Sequence, residues 1–472
     1  MEASGLCTFS LLHQDFSFPG VKYYKIRSVL FLLLIDRFYL ALMRLNKWIV
    51  FVATMSFLSL SIAKSWYYSE KDGGCDLRAR TVASRLLTSS YSPYFYKWRK
   101  SDGSYFLDPN QYSNRTVCGT SVTPAMLYTV YPLSVLPYLE VRRIWTILLY
   151  LLLGGTFFLI ILSHPNQPLF YPSVIIILGL ICSNNWLFNI ERGQVYTLYT
   201  FVLAFSYYLF HSKLRRAQFI SGFVAGVLIL LRPLAAVIGL AFLSKSERQW
   251  LIGNIVGFVT GCLIFIAPNP GLWKDYLNVM KAYSDFSIID KNIPGNLDGP
   301  EKTVEIEGMK NLRVYKDFET GGLFPMYIYF NFSGHILGLK YSLLIYSVIV
   351  AGLLFLFYRS PRYSWDPENL FLFGFLLYIL LELFIIAPRP GYSLIQWIFP
   401  LYVIALKYLR NQTVLSLMII SFLLYHGFPF LFLYPYQFHL AELFFILTLI
   451  YSLFQNLNKK DRNKNELAVS AD

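Results

Sequence analysis

Charged residues at the ends of apolar stretches are the first candidates for chemistry in this sequence. Asp76 follows the first long apolar run, residues 191–194 (Glu-Arg-Gly-Gln) form a short polar turn between two further runs, and Arg232 stands before a proline that must interrupt a helix. Arg389 lies in another turn, within IIAPRPGYS. A charge at the edge of a bilayer is costly unless it faces a wet cavity or a charged ligand. Together these residues predict a site for a charged ligand, although any one arginine could instead extend its side chain to lipid headgroups.

Composition indicates that a membrane surrounds these residues. Of the 472 residues, 56% are hydrophobic and only 14% are charged, with a mean hydropathy of +0.48. A soluble protein of this size needs more charged surface. Apolar runs of about 16 to 20 residues recur along the chain and must be helices, because a backbone in lipid has to satisfy its own hydrogen bonds. A closed barrel would show shorter, alternating segments. The sequence therefore predicts an all-α, polytopic membrane protein.

Clusters of lysine and arginine between the apolar runs predict the cytoplasmic face. The formal net charge is +14, and its main clusters are HSKLRR from His211, SKSERQ from Ser244, YRSPRY from Tyr358, KYLR from Lys407 and the tail NKKDRNKN. Cytoplasmic loops are enriched in these two residue types. A groove for nucleic acid would interleave basic and aromatic residues, a pattern that these clusters do not have. We therefore expect solvated inner loops and no nucleic-acid partner.

With those clusters inside, the sequence predicts about twelve crossings and two cytoplasmic termini. The predicted crossings are Ile49–Ser65, Ile144–Ser163, Pro172–Ile190, Val195–His211, Ala217–Leu231, Leu234–Leu243, Leu251–Ala267, Leu339–Phe357, Asn369–Ala387, Leu394–Leu406, Val414–Leu433 and Leu440–Phe454. The first of two large outer loops, residues 66–143, belongs to a catalytic module (49–267), and the second, residues 268–338, separates that module from the C-terminal helices (339–456) and a cytoplasmic basic tail (457–472). The proline-broken segment Pro124–Leu139 is expected to lie in the outer interface, because a crossing there would invert every later loop.

Residues 1–48 are expected to form a cytoplasmic or interfacial segment. The stretch MRLNKWIVF, from Met43, has basic residues just before the first crossing and has the features of a chain start. Either Met1 or Met43 could therefore begin the natural protein.

The segment after Asp76 is predicted to be an amphipathic helix on the membrane surface. Leu77, Val82 and Leu86 recur at helical spacing and give one apolar face. Three arginines are expected to lie elsewhere on this helix: Arg78, Arg80 and Arg85. Ser92–Tyr94, the triplet SPY, is then predicted to be a turn.

The five cysteines have no metal-binding spacing. Cys75 and Cys118 both fall in the first predicted outer loop, where oxidation is permitted, and are a candidate disulfide pair that would hold the backbone beside Asp76.

The order of several motifs resembles that of the integral-membrane GT-C glycosyltransferases, most closely family 87, the polyprenyl-phosphate-mannose-dependent mannosyltransferases. An aspartate, Asp76, opens a surface helix after the first crossing and is followed by SPY, YTVYPLSVLPY, the Gly-Gln turn ERGQVYTLY and the break GFVAGVLILLRP. The resemblance covers about Ile49–Ala267. The chain departs from the family at Arg232, where lysine is usual before the proline, and at Val195, where asparagine often follows the glutamine.

The resemblance implies an inverting enzyme of a bacterial inner membrane, with its site on the outer face and a GT-C-like bundle as its fold. Such enzymes transfer a hexose, here mannose or a similar sugar, from a polyprenyl phosphate to an acceptor hydroxyl. Asp76 is then the expected general base, because a hydroxyl is a poor nucleophile until its proton is removed. Arg232 first, then Arg192 and Arg389, are expected to bind the donor phosphate, which the guanidinium fork fits. Donors of this kind need no metal or other cofactor, and the sequence has no Asp-x-Asp set.

Four further residues are expected to contact the sugar or the acceptor: Glu191, Gln194, Tyr94 and His335. Gln194 could equally be a polar residue that starts a helix, and His335 an interfacial polar group. The expected partners are membrane lipids, the polyprenyl-phosphate sugar and a glycolipid or glycan acceptor, with the oligomeric state left open.

Two other classes of membrane protein fit part of the pattern. A flippase or transporter for lipid-linked sugars would place ionisable groups near mid-span and would repeat its spans internally, whereas the charges here cluster at the ends of spans. An O-antigen polymerase or ligase also pairs outer arginines with a large outer loop, but that loop comes late in the chain. The early position of Asp76 favours the glycosyltransferase.

Overall fold

The computed structural model describes residues 46–72, 74–96, 98–107, 109, 120–243, 247–284, 293–294, 303–304, 339–359, 366–384, 391–426 and 437–469. Two-residue strands at Ile293–Pro294 and Thr303–Val304 pair antiparallel, and the other regular structure in these ranges is helical. The predicted all-helical class is confirmed. The chain divides into two compact units, Met1–Phe51 and Val52–Asp472, and the packing described below lies within the second.

The described residues form sixteen α-helices. The first eight are α1 (Lys47–Asp72), α2 (Cys75–Leu86), α3 (Pro124–Ser134), α4 (Tyr138–Ser163), α5 (Phe170–Ile176, extended by one π-helical turn to Ile181), α6 (Asn184–Glu191), α7 (Tyr196–His211) and α8 (Ala217–Leu231). The others are α9 (Gly239–Leu243), α10 (Arg248–Phe265), α11 (Pro270–Ser284), α12 (Leu339–Arg359), α13 (Pro367–Phe384), α14 (Ile398–Tyr408), α15 (Gln412–Tyr425) and α16 (Gln437–Val469). Short 3₁₀ segments, Pro233–Ile238 and Gly391–Trp397, lead into α9 and α14.

Five of these helices are long and apolar enough to cross a membrane: α1, α4, α10, α12 and α13. A sixth span results if the pair α5–α6, bent by 64°, is one broken crossing. The predicted number of twelve crossings is not confirmed, because several predicted spans are shorter helices such as α8 and α15. A 15-residue helix is about 22 Å long, less than the roughly 30 Å of a hydrocarbon core. Helix α16 continues past residue 456 to Val469, through the segment that the sequence predicts to be a basic tail.

Helix α3 is too short to cross a bilayer. Its 11 residues span about 16 Å, and the Thr123 hydroxyl caps its start by accepting the Met126 N–H at 3.3 Å. Pro124 is tolerated in the first turn because that position needs no intrahelical N–H bond. The segment Pro124–Leu139 thus breaks into α3 and the start of α4, as its prolines suggest.

Helix α2 forms as predicted, but its arginines are not on an exposed polar face. Arg80 and Arg85 are only 6% and 7% exposed. Arg85 donates through Nε to the Ser134 carbonyl (2.7 Å), through Nη1 to that of Tyr105 (2.9 Å) and through Nη2 to that of Leu136 (3.2 Å). The expected amphipathic helix on the membrane surface thus differs in one respect: two of the arginines expected away from its apolar face are buried, because neighbouring segments supply carbonyl groups that replace water.

The two segments predicted as large loops on one face pack against each other. One buried cluster joins Ala83, Tyr94 and Phe95 of the first segment to Leu127 of α3 and to residues of α11 in the second. The α11 residues are Leu272, Tyr276 and Val279. This contact is consistent with a common side of the membrane for both segments.

Helices α8 and α10 approach each other backbone to backbone. Gly222 and Gly226 of α8 face the Trp250 and Asn254 carbonyls of α10, and Gly253 of α10 faces the Phe219 carbonyl of α8 in return. A Cβ at any of these glycines would lie inside van der Waals distance of a backbone atom. Small residues four apart allow this close packing of apolar helices, where lipid and side chains are equally apolar. The Gly-rich GFVAG motif thus fixes the helix that ends just before Arg232.

We expect Gly226→Ala to lower stability, because its new methyl group would meet the Asn254 carbonyl and force the two helices apart. Overpacking of this kind costs about 1–3 kcal/mol. Gly154→Ala is the matched control: that glycine also lies in an apolar helix, but nothing lies within 4 Å of an added Cβ. Thermal unfolding in detergent should show a lower Tm for Gly226→Ala and an unchanged or higher Tm for Gly154→Ala. Equal Tm values would contradict the close helix contact.

Candidate active site

The turn with Arg192 and Gln194 is the C-terminal cap of α6. Gly193 has a φ of +66°, the left-handed conformation that favours glycine. The Gln194 N–H donates to the Asn189 carbonyl at 2.8 Å and the Gly193 N–H to the Ile190 carbonyl at 2.9 Å. These two bonds define a Schellman motif, in which glycine ends a helix and reverses the chain. The local sequence Glu-Arg-Gly-Gln therefore builds this turn.

The capped turn lies against the first turn of α2. The Leu77 N–H, unpaired within its own helix, donates to the Arg192 carbonyl at 3.1 Å. Gly193 also has to be small here, because a Cβ would lie 2.6 Å from the Cβ of Leu77. Asp76 stands in the first turn of α2, where the helix dipole favours a negative charge. The contact brings Asp76 to residues more than a hundred positions away in sequence.

Asp76 is held through one of its two carboxylate oxygens. Oδ2 accepts hydrogen bonds from Arg192 Nε at 2.7 Å and from Gln194 Nε2. No described residue donates to Oδ1, and the side chain is 27% exposed. The structure therefore brings together three residues that the sequence predicted to share a site, and leaves one oxygen of the carboxylate open to solvent or a ligand.

Arg80 supports this arrangement from the buried side. Its Nη1 donates to the Gly193 carbonyl at 2.6 Å and its Nη2 to Gln194 Oε1 at 2.7 Å. This role of Arg80 was not predicted from the sequence, which placed it away from the apolar face of α2. Arg80 follows the apolar Leu77 by three residues, and residues three apart share one side of a helix. This spacing could have indicated that Arg80 lies on the same, buried side as Leu77.

Arg232 is held in a second buried cluster. Pro233 disfavours a helical conformation for the residue before it, so α8 ends at Leu231 and Arg232 is its C-cap, with a φ of −142°. Arg232 Nη2 forms an ion pair with Glu382 Oε1 of α13, and Nε donates to the Tyr378 hydroxyl at 3.2 Å. Gln396 Nε2 donates to Glu382 Oε2 at 2.7 Å. The Glu382 side chain is only 2% exposed and that of Arg232 25%, so a buried carboxylate anchors a partly open guanidinium.

Three tyrosines lie between two groups of side chains. The first group, the Asp76 cluster, is Asp76, Arg192 and Gln194, and the second, the Arg232 cluster, is Arg232, Tyr378, Glu382 and Gln396. The Arg192 guanidinium stands over the Tyr392 ring at 5.5 Å, and the rings of Tyr392 and Tyr196 are 5.8 Å apart. Arg232 in turn stands over Tyr196 at 5.3 Å and over Tyr199 at 5.7 Å. Burial, followed by the negative charge of Asp76, raises the pKa of Tyr392 well above its ordinary value. Tyr392 thus presents a neutral ring between the two clusters.

An apolar pocket adjoins Arg232. Its empty volume, about 290 Å³, includes space that is open to the surroundings. Its lining residues come from α7, α8, α13 and the two 3₁₀ segments: Tyr199, Thr200, Leu203, Leu228, Arg232, Ala235, Ile238, Phe375, Tyr378 and Gln396. Arg232 is thus the one cation among mostly apolar lining residues.

Tyr94 lies in a different place from the Asp76 cluster. The SPY turn forms as predicted, with the Phe95 N–H donating to the Ser92 carbonyl at 3.3 Å. The Tyr94 hydroxyl donates to the Val122 carbonyl at 2.9 Å within the buried cluster of α2, α3 and α11. Burial raises the pKa of Tyr94 well above its ordinary value. Its geometry is that of a packing residue.

The remaining predicted site residues are only partly described. Glu191 is the last residue of α6, next to Arg192. Arg389, His335, Cys118 and the side chain of Cys75 lie outside the described residues. Within the described ranges, no group of three or more His, Cys, Asp or Glu side chains could hold a metal ion.

Glu382, the partner of Arg232, was not predicted from the sequence. A carboxylate inside an apolar helix needs a charged or hydrogen-bonding partner, and that requirement was the available signal. The partner itself could not be identified, because it lies 150 residues away in sequence.

We expect Glu382→Ala to lower the free energy of unfolding by about 3–5 kcal/mol, because it leaves a largely buried guanidinium without its partner. Arg143→Ala is the matched control, since Arg143 is 51% exposed and pairs with Glu70 at 2.8 Å, and exposed pairs contribute about 0–1 kcal/mol. Unfolding in mixed micelles measures both. A Glu382→Ala loss as small as that of Arg143→Ala would contradict the anchoring of Arg232.

Comparison with known proteins gives one match. No curated protein and no solved structure matches the chain. The family model of glycosyltransferase family 87 matches residues 123–301, a range that contains the turn with Arg192 and Gln194 and the break at Arg232. The five long apolar helices of the described ranges agree with a multi-pass membrane protein. The resemblance deduced from the motifs is confirmed over this range, which begins after Asp76, and the chain is thereby a glycosyltransferase similar to family 87 over residues 123–301.

Proposed function

We propose that this glycosyltransferase transfers a hexose, with mannose as the first candidate, from a polyprenyl phosphate to a hydroxyl of a glycolipid or glycan acceptor. The reaction inverts the anomeric carbon and takes place on the outer face of a bacterial inner membrane, in a GT-C-like bundle. The observation that carries the proposal is the Asp76 carboxylate, fixed on one oxygen and open on the other, in a chain of contacts that leads to Arg232 and its apolar pocket.

Asp76 acts as the general base in this proposal. The acceptor oxygen forms a bond to the anomeric carbon while the bond from that carbon to the phosphate oxygen breaks. The hydroxyl proton passes to Asp76 Oδ1, and the polyprenyl phosphate leaves. Arg192 and Gln194 hold Oδ2, so the carboxylate keeps a single orientation during the reaction. A positioned base of this kind contributes about 10²- to 10⁴-fold to a rate.

Arg232 binds the donor phosphate, and the adjoining pocket accepts the first isoprene units. Negative charge grows on the phosphate as the glycosidic bond breaks, and a fixed guanidinium stabilises it. Glu382 and Tyr378 fix Arg232 before any substrate arrives. Arg192 is a second cation for the donor, while Arg389 and His335 remain further candidates for contacts to phosphate and sugar.

The site faces the outside of the membrane in this proposal. The basic clusters assign the opposite helix ends to the cytoplasm. The packing of Tyr94 and Phe95 against α11 supports a common side for both large loops. Lipid-linked sugar donors and glycan acceptors would then meet above one leaflet.

We expect Asp76→Asn to lower the turnover rate by about 10²- to 10⁴-fold, because the amide keeps the shape of the carboxylate but cannot take the proton. The assay uses purified protein, radiolabelled polyprenyl-phosphate hexoses and a membrane glycolipid extract. Asp102→Asn is the control in the same loop: Asp102 accepts from the Tyr96 hydroxyl at 2.9 Å and from the Arg99 N–H at 3.0 Å, and should keep most activity. Normal transfer by Asp76→Asn would exclude this aspartate as the base.

We expect Arg232→Gln to raise the donor KM, or lower kcat/KM for the donor, by about 10- to 100-fold, because charged hydrogen bonds to phosphate contribute about 1.5–3 kcal/mol. Arg232→Lys should retain much of the wild-type donor use, since lysine keeps the charge. Initial rates at varied donor and fixed acceptor measure the effect. Unchanged donor kinetics in Arg232→Gln would show that the phosphate binds elsewhere.

A further inference from the structure

The contact between Arg80 and Gln194 has a direction that chemistry alone determines. An arginine side chain donates hydrogen bonds and accepts none, so the atom of Gln194 that faces Arg80 has to be the carbonyl oxygen Oε1. The Gln194 amide nitrogen must then face the other way, toward Asp76 Oδ2. An ionised carboxylate only accepts hydrogen bonds. The series Arg80, Gln194, Asp76 is therefore donor to acceptor at each step.

The second contact of Arg80 fixes the turn itself. Nη1 donates to the Gly193 carbonyl at 2.6 Å while Nη2 holds Gln194 Oε1, so one planar guanidinium fixes both the backbone and the side chain of consecutive residues. Only an arginine presents two such donors in a rigid fork. A lysine could reach one of the two oxygens with comparable geometry.

We propose that Arg80 positions Asp76 through Gln194, which rests on the proposed function of Asp76. Arg80 is 6% exposed and sits behind the turn, so it acts as a positioning residue. Without Arg80, the Gln194 amide is free to rotate and can turn its oxygen toward the carboxylate. Asp76 then loses a donor on Oδ2 and the orientation that presents Oδ1 to the acceptor hydroxyl.

Arg85 provides a control that separates positioning from folding. It lies on the same helix with 7% exposure and makes three hydrogen bonds, all to backbone carbonyls of segments away from the Arg192–Gln194 turn. Both arginines contribute to stability by satisfying buried acceptors. Of these two arginines, only Arg80 is connected to Asp76, and the connection runs through Gln194.

The experiment is a double-mutant cycle on kcat with Arg80→Met, Gln194→Ala and the double variant, with Arg85→Met as control. Each single variant of the cycle should lower kcat by about 10- to 100-fold, the size expected when a reacting group is misplaced by about 1 Å. The double variant should be no slower than the slower single, because both changes remove the same support. Donor and acceptor KM should change less than kcat. Arg85→Met should lower Tm but leave kcat per folded molecule close to that of the wild type.

Arg80→Lys extends the test and takes the place of Arg80→Met in the cycle if that variant does not fold. It should restore part of the lost kcat, since one of the two donors is kept. Independent, multiplying effects of the Arg80 and Gln194 substitutions, or an equal loss of kcat in Arg85→Met, would overturn the positioning role. The Asp76→Asn variant distinguishes a failure of this inference from a failure of the proposed function. If it is inactive while the cycle shows independence, only the inference fails. If it is active, the function proposed for Asp76 and this inference fail together.

Discussion

The docking of one helix cap onto the start of another helix determines the geometry of this site. The Schellman turn that ends α6 offers a carbonyl to the free N–H of Leu77, and the left-handed Gly193 brings the two backbones close enough for that bond. Asp76, Arg192 and Gln194 meet only because this contact forms. The constraint is steric as much as electrostatic, since a side chain at position 193 would collide with Leu77. The chemistry proposed for Asp76 therefore depends on a backbone arrangement that glycine alone permits without strain.

Each of the charges described in the interior has a specific partner. Arg85 donates its hydrogen bonds to backbone carbonyls and stands over the Tyr105 ring, Arg80 donates to a carbonyl and an amide oxygen, and Arg232 pairs with a carboxylate and a hydroxyl. The kind of partner that a buried arginine has suits the role of that arginine. An arginine among carbonyls organises a fold, whereas an arginine with a side-chain partner next to a pocket can also meet a ligand. The tyrosines between the two clusters keep the intervening space apolar without placing a further charge there.

The sequence predicted the class of the fold, the helix after Asp76, the turn at Ser92–Tyr94 and the family, because each depends on local pattern or motif order. It also predicted that Asp76, Arg192 and Gln194 belong to one site. It did not predict the number of long helices, since apolar stretches interrupted by proline or glycine look continuous in hydropathy but fold as short pieces. Nor did it reveal the partners of the buried charges: Arg80 with Gln194 and Arg232 with Glu382 are contacts between distant segments, and one sequence without a structure contains no record of such pairings.

The pairing of Arg232 with Glu382 has a consequence for the end of the catalytic cycle. A phosphate that approaches a lone guanidinium gains a full ion pair, whereas one that approaches this pair adds its charge to a couple that is already neutral overall. Under the proposed function, the ground-state binding of the spent lipid carrier is therefore weaker than at a lone arginine. A by-product that is bound loosely inhibits less, so Glu382 would shorten the residence time of the carrier and free the pocket beside Arg232 for the next donor.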